Sequence, residues 1–156
     1  KNNKNFEHCT TLKYFFFSIS LIPNPCILQT MSNQESNFKI DTKEKMHVLT
    51  PEVPVLAANM TADFKKLTTS FLEQPVKNLV INFSNITSID NAFGMELANI
   101  QQNFYNENVS MVFCNFSKEV ENSLREMGLL EKMNHTPTES EAWDIVQMEE
   151  IEREFL

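Results

Sequence analysis

The segment Thr87-Ser88-Ile89-Asp90-Asn91-Ala92-Phe93-Gly94-Met95-Glu96-Leu97 constrains this chain more than any other, because an apolar run stops at a single aspartate and a helical pattern starts at once. Upstream, Lys77-Asn78-Leu79-Val80-Ile81-Asn82-Phe83 is a short β-rich run. Downstream, Phe93, Leu97, Ile100 and Phe104 follow at steps of four, three and four, the period of one helix face. Open α/β sheets place their sites at such strand-to-helix junctions. Asp90 stands where an N-cap is expected: its carboxylate can accept from free first-turn N–H groups and complements the helix dipole. Whether it only caps or also serves a site stays open on this chemistry alone.

The flanking segments supply the rest of an α/β domain. Phe38-Lys39-Ile40-Asp41-Thr42 and Met46-His47-Val48-Leu49-Thr50 surround Lys43-Glu44-Lys45, the pattern of two antiparallel strands and a charged turn. Pro51 and Pro54 then bar a regular central strand. Thr61 is the expected cap of a first helix with Phe64, Leu67, Thr68, Phe71 and Leu72 on its inner face, closed by Pro75. The strand at 79–83, a helix from Asn91 to about Glu107 and a strand at 109–114 make a βαβ unit, hence parallel pairing. Ser117 opens a third helix with Val120, Leu124 and Met127 inward and Gly128 at C′. Thr138-Glu139-Ser140-Glu141 reads as a capping box for a last helix, with Ile145, Met148, Ile151 and Phe155 as its apolar stripe and Trp143 packed near its start. The sum is a mixed sheet, antiparallel at its first edge and parallel thereafter, packed by three or four amphipathic helices. Met95, Met127 and Met148 are expected as core filler.

Composition narrows the function. A formal charge of -8 argues against nucleic-acid binding, which needs a Lys/Arg surface. Seven acids against Arg153 alone lie between Glu139 and Glu154, a solvated helix face or a docking surface for a basic partner. Cys9, Cys26 and Cys114 have no metal or redox spacing, and Cys114 closes an apolar run as a buried, reduced thiol would. His8, His47 and His135 are scattered, and two glycines, Gly94 and Gly128, cannot build a phosphate-cradling loop. No catalytic motif, metal site or cofactor site is expected.

Residues 1–30 read differently from the remainder. Lys1, Lys4 and Lys13 precede the apolar run from Tyr14 to Ile22, followed by Pro23-Asn24-Pro25, a layout similar to a signal peptide but without a small-residue cleavage site. The run is too short to span a bilayer as a helix, so no membrane insertion is expected. Met31 opens a polar stretch typical of a cytoplasmic N-terminus. The favoured expectation is that 1–30 is a leader or untranslated segment without order, 31–37 is flexible, and 38–156 is the domain; an export signal is the competing reading.

From about Phe38 to Leu156 the pattern resembles a STAS domain, the fold of bacterial anti-sigma factor antagonists. The resemblance rests on the element order, on Asn78-Leu79-Val80-Ile81-Asn82-Phe83-Ser84-Asn85-Ile86-Thr87-Ser88-Ile89-Asp90, and on Met127-Gly128-Leu129-Leu130-Glu131-Lys132-Met133. The tail from Glu141 to Arg153 is similar to that of a Bacteroidetes subgroup. The resemblance implies a STAS-like α/β fold with a four- to five-stranded mixed sheet and three to four helices. It also implies a cytoplasmic, non-enzymatic regulator that binds an anti-sigma factor acting as a serine kinase, with binding abolished by phosphorylation at the helix start. The partner-binding surface carried over is Asp90, Asn91, Ala92, Phe93, Gly94 and Met95. Family members read Asp-Ser-Ser-Gly here and modify the second serine. In this chain Asn91 and Ala92 take the serine positions and Phe93 the glycine position, and Ala57 replaces an acidic residue upstream. Ala92 has no hydroxyl, so no phosphorylation is expected there; Ser84 and Ser88 are the nearby alternatives. Phe93 is either an interface anchor or, as its helical period favours, the first inward residue of the stripe. The alternative function is a structural STAS subunit of a larger complex such as a lipid-transport assembly.

Overall fold

The computed structural model describes residues 37–155. The expectations for residues 1–30, for the flexible segment at 31–36, and for His8, Cys9 and Cys26 lie outside the described residues. In chain order the elements are β1 (Phe38–Thr42), β2 (His47–Pro51), β3 (Val55–Leu56), a 3-10 turn (Ala58–Met60), α1 (Thr61–Phe71), β4 (Leu79–Asn82), β5 (Ser88–Ile89) and α2 (Asn91–Asn106). There follow β6 (Met111–Cys114), α3 (Lys118–Glu126), a second 3-10 turn (Leu130–Lys132), β7 (His135–Thr136) and α4 (Glu139–Phe155). The main sheet has the order β1-β2-β4-β6-β7. β1 runs antiparallel to β2, and β2–β4, β4–β6 and β6–β7 are parallel. This is the mixed sheet expected from the hairpin and the βαβ unit, with five strands and four helices.

Strand alternation divides the interior in two. Leu49, Leu79, Ile81, Met111 and Phe113 enter a large core with Phe64 and Phe71 of α1, Phe93, Leu97, Ile100 and Phe104 of α2, and Val120 and Leu124 of α3. Val48, Val80, Val112 and Cys114 enter a smaller one, closed by Ala142 and Val146 of α4 with Trp143 packed against it. Cys114 is the buried, free thiol expected, and burial pushes its pKa up to about 12. With both sheet faces covered, β4 and β6 read as continuous apolar runs.

The helix ends follow local chemistry at some termini and not at others. Ser117 Oγ accepts from Val120 N–H at 3.4 Å. Gly128, at φ +66°, closes α3: its N–H donates to Arg125 O at 2.9 Å and Leu129 N–H to Leu124 O at 2.9 Å, the paired bonds of a Schellman turn. Thr138 Oγ1 accepts from Glu141 N–H at 3.3 Å. Thr61, in contrast, is not a cap. Met60 holds that position, and the Thr61 hydroxyl donates to Ala58 O at 2.6 Å because a 3-10 turn leads straight into α1.

Of the apolar stripe expected on α4, Ile145 is half-buried against the small core, but the remainder faces solvent instead of the sheet. Met148, Ile151 and Phe155 are 62%, 51% and 85% exposed, while Ala142 and Val146 point inward. The reason is what the sheet offers. Asn78 is buried, donating through Nδ2 to Lys45 O at 3.0 Å and Glu150 Oε1 at 2.7 Å, and accepting at Oδ1 from Ser110 N–H at 3.1 Å. Arg153 donates to Ser110 Oγ at 3.1 Å, and Asn134 to Glu149 Oε1 at 3.0 Å. At the other end of the helix Asn82 donates to Glu139 Oε2 at 3.2 Å, and Lys43 pairs with the same carboxylate. Turning the apolar stripe inward would strand these groups, and an unpaired buried polar group costs about 1–3 kcal/mol. Met148 and Met95, both exposed, are therefore not core filler; Met127 is half-buried against the large core.

Candidate functional site

The junction at Asp90 is held by a two-stranded parallel sheet that sequence periodicity does not reveal. β3 pairs with β5 in the register Val55↔Ser88 and Leu56↔Ile89, and Asp90 N–H donates to Leu56 O at 2.9 Å. Thr87 ties the same corner together, with its N–H and its hydroxyl both donating to Pro54 O, at 2.8 and 3.0 Å. Strands of two residues carry no alternation to detect. Their effect is to set Ala57 and the 3-10 turn from Ala58 to Met60 just after β3, beside the chain that enters α2.

Asp90 occupies the N-cap position by backbone, at φ −77° and ψ 146°, and its carbonyl accepts from Gly94 N–H at 2.9 Å. Its side chain makes no capping bond. The carboxylate is exposed, where water solvates both it and the first-turn N–H groups, so the capping bond expected is not required for their satisfaction. Asn91, Ala92 and Met95 are exposed beside it, and α2 carries no acidic residue in its first turn. The surface is thus one free carboxylate, one carboxamide, a methyl and a thioether.

Phe93 and Gly94 are buried, so a partner reaches neither. Phe93 packs on Phe64, with ring centroids 5.1 Å apart, and is the inward residue its helical period favours. Gly94 lets α2 approach α3: a Cβ there would stand 3.1 Å from Met127 Cε and 3.2 Å from Met127 Sδ. These two residues are the floor under the exposed four. Glu96, one turn along, is held by Lys65 of α1 at 2.8 Å, and that hydrogen bond keeps its carboxyl below the usual range, with a lesser contribution from Asn99. From Met95 an open cleft of about 620 Å³ runs along α2 past Gln102 and Tyr105 to Leu129 and Lys132.

Among the described residues no group of three or more His, Cys, Asp or Glu side chains is placed to hold a metal ion. No helix among them is long and apolar enough to cross a membrane.

A five-stranded mixed sheet with three helices on one face, one on the other, and an exposed strand-to-helix junction defines a small α/β domain. The family model of the STAS domain matches residues 37–142, and the chain belongs to that family. Among solved structures it is similar to a protein from Thermotoga maritima described as an anti-sigma factor antagonist, at 21% identity and TM-score 0.63, over 70% of this chain and 94% of that one. It is also similar to the anti-sigma factor antagonist SpoIIAA in its unphosphorylated form, at 19% identity and TM-score 0.58, over 70% and 96%. A third similar structure is a serine-to-glutamate variant of RsbS from Moorella thermoacetica, at 21% identity and TM-score 0.61, over 72% and 96%. At these identities the likeness establishes the fold. No curated protein matches the chain in sequence.

Proposed function

We propose that this chain is a cytoplasmic, non-enzymatic regulator of the anti-sigma factor antagonist kind, acting on transcription indirectly by binding an anti-sigma factor or a related serine-kinase-like switch protein. The contact surface is Asp90, Asn91, Ala92 and Met95, supported from below by Phe93 and Gly94, and no nucleic acid or cofactor takes part. One observation carries the reading: Asn91 and Ala92 at the start of α2 are exposed, as a partner-switching surface requires; by the family resemblance, Ala92 stands where members carry the modified serine. A phosphoserine there would add nearly two negative charges beside Asp90 and eject a partner by repulsion and desolvation. Without a hydroxyl at position 92, the chain stays binding-competent permanently. Ser84 and Ser88 are exposed, but both precede the helix and Ser88 lies in β5, so neither reproduces that geometry.

The test is to recover the partner from native cells by co-purification and measure its affinity by calorimetry for the wild type and for Ala92→Asp. The substituted carboxylate lies at a helix N-terminus, where the dipole tolerates it within a few tenths of a kcal/mol, so folding survives. Binding falls about 30-fold or more, since an unpaired charge buried in an interface costs about 2–5 kcal/mol. Equal affinity of Ala92→Asp and wild type places the interface elsewhere. Recovery of a membrane transporter ATPase instead of an ATP-binding anti-sigma factor would point to a structural subunit.

A further inference from the structure

β1 is an edge strand: among the described residues nothing pairs with its outer side. Which backbone groups it presents follows from its inner pairing. At its two ends Glu52 N–H donates to Asn37 O at 2.7 Å and Lys43 N–H to Met46 O at 2.8 Å, so the odd-numbered residues turn their backbone toward β2. Pro51, which has no N–H, accordingly stands opposite the even-numbered Phe38. Phe38, Ile40 and Thr42 therefore present their N–H and C=O groups outward.

The side chains alternate likewise. Phe38 lies on the large-core face against Phe64, and Ile40 on the same face is 43% exposed. Lys39 and Asp41 project on the opposite face, 2.9 Å apart and both more than half exposed. Edge strands are usually blunted by charge against pairing. These two charges are of opposite sign and flank a central isoleucine, an arrangement that is self-complementary under a two-fold axis.

We propose that β1 is an interface for a second copy of this chain, paired antiparallel about Ile40 so that the two sheets become continuous. In that register Ile40 faces Ile40 of the second copy, and Phe38 faces its Thr42, each pair exchanging both backbone hydrogen bonds. Lys39 then stands opposite Asp41 of the second copy, and Asp41 opposite its Lys39, in the closer non-hydrogen-bonded positions. A shift of pairing by one step in either direction that keeps the outward groups matched puts Lys39 against Lys39 or Asp41 against Asp41. Charge thus selects one register and closes the assembly at two chains, an isologous contact. A single strand pair is a small interface, so the dimer is reversible and not obligate. β1 is a separate element from the partner surface on α2.

Sedimentation equilibrium of the full chain, from low-micromolar to submillimolar concentration, tests it. The wild type is expected to dimerise reversibly. Lys39→Glu and Asp41→Lys each place like charges across both symmetric pairs and should weaken self-association about tenfold. An equimolar mixture of the two variants places opposite charges across both pairs and should associate as tightly as wild type. Ile40→Pro removes an outward N–H and no β1–β2 bond, and should also give monomers; unchanged circular dichroism and melting show that the fold survives. A monomer at every concentration, a dimer insensitive to the single charge reversals, or a mixture no tighter than its components overturns the proposal.

Discussion

The two faces of the sheet are built on different principles. One is a large, aromatic core: Phe38, Phe64 and Phe93 pack in series with tilted rings, Phe83 and Phe113 pack with Phe116, and α1, α2 and α3 contribute large side chains. The other is thinner, lined by valines, an alanine, Met46 and Cys114 with Trp143 and Ile145 at its margin, and its helix is held at both ends by polar side chains. The first face derives its stability from area removed from water, which is non-directional. The second depends on directional bonds whose loss leaves buried groups unpaired. The candidate site rests on α2, and so on the thick face. α4 packs on the opposite face and is expected to loosen without disturbing it.

The sharpest way to break this contrast is to damage the thick face at the floor of the site. Phe93→Ala removes a buried ring and should cost about 3–5 kcal/mol in urea denaturation. A cost near 1 kcal/mol would mean that the aromatic core does not support α2. The counterpart on the thin face is Asn78→Ala, which deprives Ser110, Glu150 and Lys45 of a shared partner. About 2–3 kcal/mol is expected, and the loss should be localised to α4.

Cys114 reports that localisation, because it lies under α4 and its thiol, pushed up to about 12 by burial, is neutral and protected at pH 8. Iodoacetamide, followed by peptide mapping, should label Cys114 slowly in the wild type and about tenfold faster or more in Asn78→Ala, while the α2 side keeps its hydrogen-exchange protection. Loss of protection on both faces together would make the two layers one cooperative unit. The same thiol sets an alkaline limit. Its folded pKa is above the unfolded value of 9.0, so its contribution is complete below pH 9 and declines above it as the unfolded thiol ionises.

Smaller effects sharpen the comparison. Val146→Ala removes two buried methyl groups from the thin face and should cost about 1.5 kcal/mol, well below Phe93→Ala; parity would contradict the difference in packing. Smallest is the surface link between α1 and α2. Glu96 is held by Lys65 below its ordinary 4.5, so its contribution is present above that pH and lost as pH falls through the lower folded value. The Glu96 side chain is mostly buried, but the Lys65 ammonium is half exposed and solvent screens the pair, so Lys65→Met should flatten the acid side of the stability profile by about 1 kcal/mol or less. A change of about 3 kcal/mol would reveal a coupling that a half-exposed ammonium does not explain.

The elements legible in the sequence are those whose cause is local. The β1–β2 hairpin follows from alternation around Lys43-Glu44-Lys45, and the β4-α2-β6 unit from a β-rich run, a helical period and a second β-rich run. α3 follows from Ser117 at one end and Gly128 at the other, each acting within a turn or two of itself. The inward Phe93 was legible for the same reason, since a 3.6-residue period fixes one face against another. The strand-to-helix junction at Asp90 was legible from the same two periods, and the family resemblance marked it as the candidate partner surface.

What tertiary structure alone decided was the choice among locally equivalent options. α4 has an apolar stripe through Met148, Ile151 and Phe155 and a mixed stripe through Ala142, Val146 and Arg153, and either satisfies helix geometry. The sheet chose the second. Its small Val48, Val80 and Val112 surface is rimmed by Asn78, Asn82 and Ser110, whose partners Glu139, Glu150 and Arg153 are distant in sequence. The β3–β5 pair, the uncapped carboxylate of Asp90 and the close approach of Gly94 to Met127 belong to the same class. Local periodicity records which faces a segment possesses. Only the surfaces brought against it by the rest of the chain determine which face has the lower free energy when buried.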